Sequence, residues 1–138
     1  MPLQMNREQL TTFLQQEFPQ YIGEIIEVTP EVAWLRLPVT EEHLRPGGTV
    51  SGPTLMALAD VALYVAILSK IGPVALAVTT DFTCHFLNKP RAATPLLAKA
   101  TLLKQGKRLI IGEVELFSEG QEAPVAHVVA SYSVPPSS

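Results

Sequence analysis

Ser51-Gly-Pro-Thr-Leu-Met-Ala-Leu-Ala-Asp-Val-Ala-Leu-Tyr-Val-Ala-Ile-Leu-Ser-Lys70 decides how the rest of the chain must be arranged. Ser51 or Gly52 serves as a cap, Pro53 suits a first helical turn, and Lys70 and Gly72 fall where a helix should stop. The segment is apolar on nearly every side, which predicts a helix surrounded by protein. One carboxylate interrupts it. At helical spacing the neighbours of Asp60 are Met56, Ala57, Leu63, Tyr64 and Ile67, so no cation lies on its stripe.

Outward from this helix the pattern changes. Upstream, Asn6 to Phe18 reads as a further helix: Asn6 caps it, Leu10, Phe13 and Leu14 share a face, and Pro19 stops it. Two strands follow, Gly23 to Val28 and Glu31 to Leu37, the second with Ala33, Leu35 and Leu37 alternating against Val32, Trp34 and Arg36. Pro38 to Val50 is a loop around Pro46-Gly47-Gly48. Downstream, Ala75 to Asn88, Leu96 to Lys104, Lys107 to Phe117 and Val125 to Val134 are rich in strand formers. Gln105-Gly106 and Ser118 to Gln121 read as hairpin turns, and a Pro/Ser tail closes the chain at 135–138. A buried helix followed by a meander of long antiparallel strands is an α+β arrangement, with a curved sheet wrapped around the helix.

Composition narrows the function. The 138 residues suit one domain, 1–138, large enough to bury a core. They are 47% apolar and only 17% charged, which leaves apolar surface for an oligomer interface. A net charge of −3 argues against nucleic acid as a partner. A single cysteine, Cys84, excludes an internal disulfide or a cysteine metal cluster and fits a reducing, cytoplasmic setting. Residues 1–18 lack the apolar core of a signal peptide, and the run Leu55 to Leu68, broken by Asp60, reads as too short to span a bilayer. His43, His85 and His127 show no ligand spacing, so no metal is expected.

Chemistry concentrates on a few positions. Asp60 is either paired with a group from another element or tuned by its apolar surroundings as a general base or nucleophile. Glycines before a helix start leave backbone N–H groups free to face an anion, and Gly52 is the best such donor because Pro53 has none. Gly52 and Asp60 stand eight residues apart, roughly 12 Å along a helix. One reacting carbonyl cannot touch both on one chain, so a joint role requires two protomers. Thr79 and Thr80 either orient water or Asp60, or simply favour a strand. Lys104, Lys107 and Arg108 cluster at a hairpin turn, as a solvated turn or a phosphate receiver.

Gly48-Thr-Val-Ser-Gly-Pro-Thr-Leu-Met-Ala-Leu-Ala-Asp60 resembles the signature of the phenylacetate-pathway type of hotdog-fold acyl-CoA thioesterase. That signature reads Asn-x-x-Gly-x-x-His-Gly-Gly, then a helix carrying Leu-Ala-Asp. Gly48, Gly52, Leu58, Ala59 and Asp60 match in register, and the likeness extends through Thr79 to Asn88 and Leu103 to Arg108 over roughly Leu44 to Val134. The resemblance implies a hotdog fold of five to six strands with an extra N-terminal helix. It implies Asp60 as catalytic carboxylate, the Gly52 amide as carbonyl donor, and Thr79 as the hydroxyl that helps place water, or Thr80 one residue out of register. It also implies acyl-CoA as substrate, Lys104, Lys107 or Arg108 near the coenzyme's phosphates, no separate cofactor, and a homodimer or homotetramer. Two positions depart from it. Arg45 stands at the asparagine, where it would bind a phosphate or carboxylate, and Ser51 at the histidine. The expected activity is thioester hydrolysis. A non-catalytic acyl-CoA-binding protein is the alternative, and a hotdog hydratase ranks below it for want of a histidine beside Asp60.

Overall fold

The structure, a computed structural model, describes residues 3–136; the last two residues of the Pro/Ser tail and residues 1 and 2 lie outside it. Helix α1 spans Arg7–Glu17 and α2 spans Gly52–Ile71. The strands are β1 Glu24–Val28, β2 Ala33–Leu37, β3 Val78–Phe86, β4 Leu96–Gln105, β5 Leu109–Ser118 and β6 Ala126–Ser133. They form one antiparallel sheet in the order β1-β2-β4-β5-β6-β3.

Period-two burial explains why these segments are strands. The inward rows, Ala33, Leu35 and Leu37 on β2, Leu96, Ala98 and Ala100 on β4, and Val128, Ala130 and Tyr132 on β6, are buried while their neighbours are not. Alanines in these rows make room for α2 to lie across the sheet. Contact is tightest at Gly112, where an added Cβ would come within 2.3 Å of Leu63 Cδ1 and 2.9 Å of the Thr101 carbonyl. No side chain fits there.

Three expectations are corrected. First, β3 does not precede β4 in a simple meander: it crosses to the far edge and pairs with β6. Its residues are largely exposed, which suits an edge and would be costly in the middle of the sheet. Second, Lys107 is not on a strand, because β4 runs on to Gln105 and β5 starts at Leu109, leaving Gly106–Arg108 as the turn. Third, α2 has 20 residues and is apolar enough to cross a membrane on length and composition alone. Its burial, 67% of its most apolar window, is what identifies it as a core helix. The loop 38–50 also holds a short 3₁₀ turn, Glu41–His43, and a bridge between Leu44 and Val50.

Helix α1 docks beside α2. Asn6 and Gln9 form a reciprocal capping box, and Leu10 and Leu14 are fully buried against the core. The Arg7 guanidinium also donates to the Ile26 carbonyl at 3.1 Å. The start of α1 is thereby tied to β1.

Candidate active site

Asp60 faces the point where β3 and β6 pair. Thr79 and Tyr132 are cross-strand partners there. Their hydroxyls both donate to Oδ1 of Asp60, each at 2.7 Å, and the Tyr132 hydroxyl also lies 3.1 Å from the Asp60 carbonyl. The partner of Asp60 is therefore a pair of neutral hydroxyls, not an arginine or a backbone amide. Both act on one oxygen, so Oδ2 is left to meet water or substrate.

A β-bulge after Thr79 settles which threonine reaches the carboxylate. The register shifts between Thr79 and Asp81, and the Thr80 hydroxyl turns to the Ser131 carbonyl at 3.3 Å. Burial first, and then the neighbouring Asp60 carboxylate, hold the Tyr132 phenol far above its ordinary value. It stays protonated, and so remains a donor to Asp60.

Aromatic rings extend from this point toward α1. Tyr132 stacks on Tyr64, with centroids 6.1 Å apart and planes at 18°, and Phe18 meets Tyr64 edge-on at 6.3 Å. The Tyr64 hydroxyl donates to the Ala75 carbonyl at 3.1 Å, and burial, followed by the charge of Glu17, raises its phenol above the usual range. Together with Ala75, Ala77 and Val78 these groups line a cavity of about 250 Å³, with Asp60 and Thr79 at one side and Glu17 and Phe18 at another.

Gly52 lies elsewhere. It is the first residue of α2, with Ser51 as N-cap: the Ser51 hydroxyl accepts from the Thr54 N–H at 3.3 Å and pairs with the Thr54 hydroxyl at 2.8 Å. Ser51 is thus occupied as a cap. The Phe86 ring covers Gly52 so closely that an added Cβ would sit 3.1 Å from Phe86 Cζ. Gly52, Arg45, Asn88 and Lys89 line a second cavity of about 460 Å³. Asp60 is beside the start of β3 and Gly52 beside its end, so a single chain does not bring them together.

Of the basic cluster, Lys107 and Arg108 line a third cleft of about 890 Å³ with Ile71, Val74 and Val134, while Lys104 is not among its lining residues. Val134 is two residues beyond Tyr132, so this cleft neighbours the Asp60 cavity on the same chain. Two of the three histidines have structural partners: His127 lies 3.0 Å from Glu113, and His43 Nδ1 accepts from the Thr40 N–H at 3.0 Å. Cys84 is half-buried against the core, and burial raises its thiol.

Sequence reading missed Tyr132, Glu17 and Phe18. For Tyr132 a signal existed. It continues the buried alternation Val128, Ala130, Tyr132 on β6, and an inward phenol needs a hydrogen-bond partner.

The family model of the Thioesterase superfamily matches residues 47–125. Among solved structures, a candidate thioesterase from Silicibacter sp. is 46% identical, with a TM-score of 0.91 over 99% of this chain and 96% of that one. The PaaI protein of the Escherichia coli phenylacetic acid degradation operon is 27% identical, with a TM-score of 0.73 over 82% and 79% of the two chains. Zebrafish thioesterase superfamily member 2 shares the fold at 20% identity, with a TM-score of 0.83 over 95% and 99%. No curated protein matches the chain significantly.

Proposed function

The chain belongs to the thioesterase superfamily, with a hotdog fold, and from that premise we propose that it hydrolyses the thioester of a small or medium acyl-CoA. One observation carries the proposal: a carboxylate at the mouth of an aromatic cavity, one oxygen held by Thr79 and Tyr132 and the other left to work. In the general-base route, Asp60 takes a proton from water as the water oxygen attacks the thioester carbonyl. The resulting oxyanion accepts from the Gly52 N–H, then the C–S bond breaks and the thiolate leaves, taking a proton. In the nucleophilic route Asp60 itself attacks, and water cleaves the resulting anhydride. Solvent-oxygen labelling under single turnover separates the two, since only the anhydride route places solvent oxygen in Asp60. The Gly52 donor would lower the barrier by ~3 kcal/mol.

The two halves of this site meet only if a second copy supplies one of them. β3 is a nine-residue edge strand exposed along most of its length, with Val78 and Phe86 both open. An isologous antiparallel pairing of β3 with its copy would set the Thr79 end of one strand beside the Phe86 end of the partner strand. That pairing would bring Asp60 of one chain toward the Gly52 amide of the other and would cover the exposed Thr79–Asp60 bond. Lys107 and Arg108 would take the coenzyme's phosphates, and Arg45, in the cavity with Gly52, would meet a phosphate or carboxylate. No separate cofactor takes part in this scheme, and the cytoplasm is its compartment.

The test is thiol release from a panel of short, medium, long and aromatic acyl-CoAs by the wild-type protein and by Asp60→Asn. The expected result is a loss of about 10²-fold or more in a folded, still oligomeric variant. Activity that survives the substitution moves the chemistry elsewhere. Binding of acyl-CoA without thiol release across the panel favours a non-catalytic acyl-CoA carrier.

A further inference from the structure

We propose that Glu17 and Phe18, at the end of α1, select the acyl group: they admit an uncharged tail of roughly six carbons or one ring and reject a tail ending in a carboxylate. The inference rests on the thioesterase reading and concerns what the Asp60 cavity accepts.

Placement is the first argument. The family match begins at residue 47, so α1 lies outside it, yet Glu17 and Phe18 line the same cavity as Asp60. Leu10 and Leu14 are fully buried, the Phe18 N–H donates to the Leu14 carbonyl at 2.8 Å, and the Phe18 ring packs on Tyr64, so the C-terminal end of α1 is a wall held against the core. From Tyr132, which holds Asp60, two ring contacts of 6.1 and 6.3 Å lead through Tyr64 to Phe18. An acyl tail whose carbonyl sits at Asp60 therefore runs along aromatic faces and ends at α1.

Charge is the second. Glu17 occupies the last turn of α1, which contains no basic residue. A carboxylate there meets the negative end of the helix dipole, so it works against the helix that carries it. A residue that breaks a local rule at the rim of a site points to use by the site. Among the described residues no Lys, Arg or His lines this cavity, so Asp60 and Glu17 give it a negative field. Glu17 is exposed and stands at the open rim, so a terminal carboxylate entering the cavity would meet its charge first and that of Asp60 beyond it.

Size is the third. A dry cavity of ~150 Å³ holds benzene. The present one is open to solvent in the single chain, and its volume of about 250 Å³ gives room for a ring with a short stem, or a chain of similar volume. Phe18 bounds its far side.

The test compares hexanoyl-CoA with adipoyl-CoA, which have the same carbon count and differ by one terminal carboxylate. Taking the ratio of kcat/KM cancels any effect of a substitution on coenzyme binding. Wild-type protein should prefer hexanoyl-CoA by about 100-fold, and Glu17→Lys should narrow the ratio about tenfold or more, mainly by accelerating adipoyl-CoA. Glu17→Gln should narrow it less, and Phe18→Ala should move the optimum toward longer chains. Melting by circular dichroism confirms that each variant is folded. A ratio unchanged in both Glu17 variants, with hexanoyl turnover intact, overturns the proposal and leaves the thioesterase reading standing. If wild-type protein cleaves neither ester, that reading fails, and binding of the uncleavable thioethers hexyl-CoA and 5-carboxypentyl-CoA decides selection. Preference for hexyl-CoA that Glu17→Lys narrows supports it; equal binding, or none, overturns it.

Discussion

Thr79 and Tyr132 stand opposite each other across the β3–β6 ladder, and both donate to the same oxygen of Asp60 at 2.7 Å. A carboxylate held by two donors from two strands has one orientation relative to the sheet. The arrangement is preorganised by backbone pairing and does not depend on the rotamer preference of Asp60 alone.

Tyr132→Phe keeps the ring on Tyr64 and removes only the hydroxyl. Turnover should fall about tenfold or more with KM little changed, because Asp60 loses one of its two anchors. Steady-state kinetics on a saturable acyl-CoA checks this, and an equal loss of KM and kcat would speak against a positioning role.

The same variant should alter stability in alkali. A tyrosine in the unfolded chain ionises near pH ~10, while burial and then the Asp60 charge hold the folded Tyr132 phenol well above that. Its stabilising contribution is full below pH ~10 and is lost as the pH rises beyond it, since the folded chain then binds the extra proton. Urea midpoints measured from pH about 8 to about 11.5 should fall less steeply in Tyr132→Phe than in wild type. Tyr64 is shifted in the same direction, so a residual slope should remain.

Thr79→Val and Thr80→Val separate the two neighbours. Thr79→Val removes the second donor to Asp60 and should cost about tenfold or more in kcat. Thr80→Val loses only a 3.3 Å bond to the Ser131 carbonyl and should stay within about threefold of wild type. Reversal of that order would mean that the bulge shifts in the working enzyme.

Thr83→Lys tests the paired edge. Thr83 is exposed on one protomer, so the substitution should leave the fold intact. Two lysines near the two-fold axis repel one another, and light scattering should then report monomers. Thiol release should vanish with the oligomer. Full activity in a monomer would place the whole site within one chain.

Gly112→Ala should destabilise the protein by about 1–3 kcal/mol, because its Cβ collides with Leu63 and the Thr101 carbonyl. Thermal melting reads this directly, and an unchanged Tm would show that α2 sits further from β5.

The sequence makes the local elements and the lone charge legible. Apolar periodicity marks α2, its caps mark its start, and Asp60 stands out because nothing on its own helix neutralises it. What the sequence hides is non-local. Nothing in Val78–Phe86 says that its neighbour is β6 and not β4, since that choice follows from which edge can stay exposed. Tyr132 escaped notice for the same reason, being 72 residues from the carboxylate that it holds. The basic turn was misdrawn by one residue at the end of β4 and by two at the start of β5, where the Gly106 N–H donates to the Leu109 carbonyl.

The far-edge position of β3 also sets an order of events during synthesis. β3 is complete at Phe86, but among the described residues its only strand neighbour begins at Ala126, so it must wait unpaired while β4 and β5 are made. Such long-range pairing is the slow part of folding. The strand that finally joins β3 also brings Tyr132 to Asp60. The last strand to emerge therefore closes the sheet and arms the carboxylate in one step, and a nascent chain stopped short of it has neither.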